Sequence, residues 1–175
     1  SIVGLSQARS LSLGADLSAN ISEQTQFTLF IQGDRLRSRQ AGSQQGLGAD
    51  WSAQNDDRFD VFGLGLKHTL AEDQFNVGAD VTVARSHSAV KLDTGSTNPV
   101  FPAARVAHDT VKLYANYKLM ANLWLNGSLW QESYAAEDWR LDGVMPATVP
   151  NLLSFGQQAP HYRVNVVTVS LRYRF

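Results

Sequence analysis

The 175 residues contain no cysteine, which excludes a disulfide framework, thiolate metal sites, a thiol nucleophile and covalent haem attachment through C-x-x-C-H. Any redox cofactor that works with this chain therefore belongs to something else. A dominant charge is missing too. The formal net charge is -1 and 18% of residues are charged, which argues against nucleic acid as a partner and against an acidic tail. No apolar run approaches the ~18 residues of a membrane helix. A membrane β-strand remains open, because it needs only about 9 to 11 residues and carries its apolar atoms at alternate positions. The opening "SIVGLSQARS" has no initiator Met, basic n-region or apolar h-region, so a signal peptide is expected either to have been cleaved or to precede these residues.

What is present is alternation. Leu11, Leu13, Ala15, Leu17, Ala19 and Ile21 share one face, opposite Ser12, Gly14, Asp16, Ser18 and Asn20. The same period predicts strands over 27–34 (Phe27, Leu29 and Ile31 against Thr28, Gln32 and Asp34), over 62–70 and over 75–83. In 111–119, Val111, Leu113, Ala115, Tyr117 and Leu119 oppose Lys112, Tyr114, Asn116 and Lys118. Residues 123–131 are less regular, with Leu123, Leu125 and Leu129 on one face and Trp124 and Trp130 on the other. The last strand, 162–175, sets Val167, Val169, Leu171, Tyr173 and Phe175 against Thr168, Ser170, Arg172 and Arg174.

A soluble sandwich also alternates, so the connections carry more information. Strands 1–2, 3–4 and 5–6 are joined by about "SEQT", "AEDQ" and "AN", whereas the other links are long, roughly 36–58, 84–110 and 132–161. Alternating short and long joins are the pattern of an outer-membrane barrel, with tight periplasmic turns and long outside loops. Phe27, Phe75, Tyr117, Tyr173 and Phe175 gather on the apolar face beside the short joins, as an interfacial girdle requires. The expected fold is therefore all-β, a transmembrane antiparallel barrel with about seven strands here. The terminal pattern Val169, Leu171, Tyr173, Phe175 resembles the C-terminal signal by which bacterial outer-membrane proteins are recognised for insertion. If Phe175 sits at the periplasmic rim, strand 1 also runs downward, and seven strands cannot close into an even-numbered barrel. Residues 1–175 are thus expected to be the C-terminal section of a single, larger barrel domain. Many inward positions are Ser, Gly, Thr, Asn or Asp, which suits a wide, wet or occupied lumen rather than the interlocked interior of an eight-stranded barrel.

Residues 137–175 resemble the C-terminal end of the MtrB/PioB family of decahaem-associated outer-membrane proteins. The resemblance is carried by Asp138-Trp139, Leu141-Asp142-Gly143-Val144, Pro146, the stretch from Asn151 to Gly156, Pro160 with Tyr162, and the final strand. It implies a barrel that is not an enzyme, holds no cofactor of its own, and sheathes a periplasmic multihaem c-type cytochrome whose haem carries electrons across the outer membrane. An outer-surface cytochrome, outer-membrane lipid and the barrel assembly machinery are the further partners it implies. On that reading Asp16, Asp80, Lys112, Lys118, Ser128, Ser170 and Arg172 face the lumen and are candidates to meet the partner.

Other chemistries have weak support. His68, His87, His108 and His161 are scattered, with no H-E-x-x-H. Ser86-His87-Ser88 and His108-Asp109 could be fragments of a hydrolase site, but neighbours on a strand point apart. "QNDDRFD" and "AEDQ" lack the spacing of a calcium loop, and the glycines of "GLGAD" and "GLGLK" fit turns or close strand packing better than a nucleotide site. A diffusion porin is the alternative function, and a barrel hydrolase a distant third.

Overall fold

The computed structural model describes residues 3–43, 46, 48–71, 74–95, 100–138 and 159–175. Within these, every regular element is a strand: β1 (Gly4–Asn20), β2 (Thr25–Gly42), β3 (Trp51–Leu70), β4 (Phe75–Asp93), β5 (Ala104–Met120), β6 (Leu123–Glu137) and β7 (His161–Tyr173). They form one antiparallel sheet in chain order, each strand hydrogen-bonded to its sequence neighbours. The sheet is open, since β1 and β7 are not neighbours.

The register keeps one apolar row running across the strands. Leu17, Leu29, Leu64, Val81, Val111 and Gln131 are successive Cα partners, and below them Phe27, Leu66, Ala79, Leu113, Leu129 and Val167 are another such row. This face is bare: Leu13 is 67% exposed, Val167 73% and Val169 72%. In water such a surface is untenable for a soluble domain; against lipid tails it costs nothing. The few buried strand alanines, Ala53, Ala84 and Ala136, all lie on the opposite, polar face. That polar side is the sheltered one. Gly63 and Gly78 are also there, each covered by a ring from the neighbouring strand, and a Cβ at either would overlap Phe30 or Tyr114. The glycines of "GLGLK" therefore serve close strand packing.

The short joins fall as expected. Ile21 N donates to Thr25 O across the first (2.8 Å), Gln74 N to Ala71 O in the second (2.9 Å), and Arg174 N to Asn122 O beside the third (2.9 Å). Aromatic rings stand here on the apolar face: Phe75 meets Tyr117 edge-on at 6.1 Å, and Tyr173 meets Phe175 at 5.0 Å.

The strands outrun the expected lengths. The expected links 36–58, 84–110 and 132–161 shorten to 43–50, 94–103 and 138–160, because β2 to β6 stay paired well above the apolar rows. Hydropathy ceased to alternate there while the ladder continued, with charge replacing hydrocarbon on the same face. "QNDDRFD", inside the expected 36–58 link for most of its length, is consequently part of β3. Of the segments that carry the family resemblance, Trp139, Leu141 to Val144, Pro146 and 151–156 lie outside the described residues.

Candidate functional site

The polar face of the sheet forms a continuous wall, and strand register decides which side chains meet on it. Asp80 and Lys112 are Cα partners on β4 and β5, flanked by Gly65 of β3 and Trp130 of β6. One row lower, Tyr114, Ser128 and Thr168 align, and below them Asn116, Asn126 and Ser170. Together these line an open groove of about 450 Å³ that includes Asp80, Lys112, Ser128 and Ser170. Small side chains on β6 and β7 leave the space, and Lys112 Nζ lies 5.8 Å from the Tyr114 ring centroid.

Lys118 and Arg172 also face this way, nearer the short turns. Both are Cα partners of Trp124, and the Arg172 guanidinium sits 4.8 Å from the Trp124 ring centroid, close enough for a cation–π contact. Asp16 is on the same face, opposite Phe30, but near the β1 edge of the sheet, strands away from the groove. All seven candidates thus share the polar face, and Asp80, Lys112, Ser128 and Ser170 come together.

Sequence reasoning missed a cluster above the groove. Tyr162 Oη donates to Glu132 Oε1 at 2.6 Å, Tyr134 stacks on Tyr162 at 5.2 Å, and His108 meets Tyr134 edge-on at 5.9 Å. His108 Nε2 is 3.4 Å from Glu132 Oε1 but is not aligned to hydrogen-bond it. Beside the cluster, Val164 and Val166 pair with Glu132 and Trp130 on the polar face. Trp130, Tyr162, Val164 and Val166 are each 38–43% exposed, an apolar patch on an otherwise polar wall. The clue lay in "HYRVNVV", whose even-numbered positions are apolar as well.

The imagined hydrolase fragments come apart. His87 pairs with Arg58 and Arg105 on the apolar-side face, while Ser86 and Ser88 point to the other, where Ser88 Oγ bonds Asp57. Asp109 is turned outward and binds Arg85 through two contacts, one of them 3.1 Å, away from His108. His68 bonds Thr25 Oγ1 at 2.8 Å on the apolar side next to a turn. No group of three or more His, Cys, Asp or Glu is placed to hold a metal among the described residues.

A sheet with a bare aliphatic face, an aromatic edge at the short turns and a sheltered polar wall is the wall of a transmembrane β-barrel. Comparison with known proteins agrees. The family described as "Putative outer membrane beta-barrel porin, MtrB/PioB" matches residues 1–175, and the chain belongs to that family, placing it in the outer membrane. Outer membrane protein MtrB of Shewanella baltica (strain OS185) is 25% identical over 178 residues, which covers 99% of this chain and 25% of that protein. The chain thus spans about a quarter of the length of the curated relative it matches.

Proposed function

We propose that this wall belongs to a barrel that sheathes a periplasmic multihaem c-type cytochrome and so forms an electron conduit across the outer membrane. The chain contributes shape and insulation, and the partner's haem the redox chemistry. The observation that carries this reading is the apolar patch of Trp130, Tyr162, Val164 and Val166 on the inner wall. Facing open water, such a patch is an unfavourable exposure; a protein occupant covers it. In this reading Asp80 and Lys112 orient the occupant, and Phe175 marks the periplasmic rim, with the barrel assembly machinery reading Val169, Leu171, Tyr173 and Phe175. Electrons then pass to or from an outer-surface cytochrome or another carrier at the long-loop side. The barrel itself catalyses nothing.

The second reading, a diffusion porin, is favoured by the family's own description. Co-purification of haem with the full-length barrel, together with reduction of a dye sealed in liposomes, separates the two. Under the sheath reading Ser128→Trp with Ser170→Trp fills the groove and lowers haem retention. Val166→Asp lowers it through the patch, whereas neutralising Lys112 alone does less because many contacts share such an interface. Dye reduction that is as fast without any cytochrome rejects the sheath in favour of an open pore.

A further inference from the structure

Above the apolar rows, the outward face of β1 and β2 becomes basic. Arg9 and Arg37 are Cα partners on β1 and β2, Arg39 pairs with Gln54 of β3, and Gln54 pairs with Lys91 of β4. These side chains line a groove of about 350 Å³ in which Asp56 is the acid. Asp56 is already engaged, its Oδ2 lying 2.7 Å from Arg35 Nη2 and 3.1 Å from Arg37 Nε. Hydrogen bonding to Arg35 holds its carboxyl down at about 2, so it is an anion at any physiological pH. Like charges set directly opposite on neighbouring strands are unfavourable. Here one carboxylate is shared between guanidinium groups, and Arg39 and Lys91 carry the basic lining further along the groove.

The groove's position identifies its ligand. On β1, Leu11 and Leu13 continue directly below Arg9 on the same face; on β2, Gly33 stands between Arg35 and the apolar Ile31 and Leu29, and on β3 the ion-paired Arg58 and Asp60 stand between Asp56 and Phe62. A molecule lying here meets hydrocarbon at one end and guanidinium groups at the other. Guanidinium forks bind phosphate oxygens in pairs, with charge-assisted hydrogen bonds. We infer that the groove of Arg9, Arg37, Arg39 and Lys91 binds the phosphate groups of a lipid whose acyl chains lie on the apolar rows beneath. This rests on the orientation in the proposed function, with the long joins outside. At that level the lipid is the phosphorylated glycolipid of the outer leaflet.

The test uses the full-length barrel in detergent and two probes, diphosphoryl lipid A and the same lipid with its phosphates removed, counted by native mass spectrometry. The wild type binds the diphosphoryl form about 10- to 100-fold more tightly, a preference that raised salt erodes. The variant R37Q/R39Q/K91Q loses the preference while binding the dephosphorylated lipid as before, and inward-facing R172Q keeps it. Equal binding of both lipids by the wild type overturns the inference, as does an intact preference in the triple variant with normal heat-modifiable migration. Should the triple variant fail to fold, the wild-type comparison and R39Q alone decide. Ser43→Cys, in the join after β2, tests the orientation separately: an impermeant maleimide labels it on intact cells. Labelling only after the outer membrane is opened overturns the outer-leaflet assignment, whatever the lipid A result.

Discussion

At the scale of single residues, one position along a strand separates lipid from lumen. Val81 lies between Leu64 and Val111 on the apolar face, and its neighbour Thr82 between Gly63 and Thr110 on the polar one. Val81→Arg, or Leu113→Arg, should cost folding about 2–4 kcal/mol near mid-membrane. Thr82→Arg should cost much less, since a lumen-side guanidinium stays hydrated. Urea titration of the full-length barrel refolded in lipid vesicles measures both, and equal losses would reverse the face assignment. These faces were legible in the sequence because lipid punishes each polar side chain individually, so 75–83 alternates without error. The inner wall was less legible. A wall that meets water or a protein occupant does not forbid apolar side chains as hydrocarbon forbids polar ones, so Phe30 and Val166 sit on the polar face, and only the even-numbered apolar positions of "HYRVNVV" hint at the second.

At the scale of the element, β7 shows how short the apolar requirement is. Val167, Val169, Leu171 and Tyr173 form its bare stripe, with Phe175 following and its ring on Tyr173. Removing Phe175, or changing both Tyr173 and Phe175 to Ser, should leave the barrel unassembled, because the recognition stripe and part of the girdle are lost together; normal heat-modifiable migration on gels would count against it. The strand ends were misjudged for a related reason. A hydrophobic stripe marks only the stretch in contact with hydrocarbon, about 9 to 11 residues, while backbone pairing has its own hydrogen bonds and continues without it. "RLRSRQ" in β2 retains period two in charge, with Arg35, Arg37 and Arg39 on one face, and Arg35 reaching Asp56 of β3 across the ladder. Alternation of charge extended the strand where alternation of hydropathy had stopped.

At the scale of the whole molecule, the open sheet is the governing fact. Strands β1 and β7 each present an edge of backbone donors and acceptors to the membrane, and a lipid-exposed edge does not persist. Closing β1 directly on β7 would make the odd, narrow cylinder that the polar wall does not suit. In the full-length barrel on a background lacking other thiols, Leu11→Cys with Val167→Cys should therefore give no intramolecular disulfide. Leu17→Cys with Leu29→Cys, or its neighbour Ser18→Cys with Thr28→Cys, should give one, because successive partners alternate between wide and close pairs. Non-reducing gels of the monomer read the result, and a disulfide between positions 11 and 167 would mean that the seven strands close on themselves.

The wall also rises well beyond its lipid-facing rows. From Asp60 back to Ser52, every residue of β3 still has a partner on β4. At ~3.3 Å per residue and a tilt of about 40°, that lifts the rim roughly 20 Å above the hydrocarbon. A paired ladder does not bend as a loop does. With the long joins outside, the mouth is a stiff chimney, and the stand-off at which any carrier meets it is fixed by the length of paired strand.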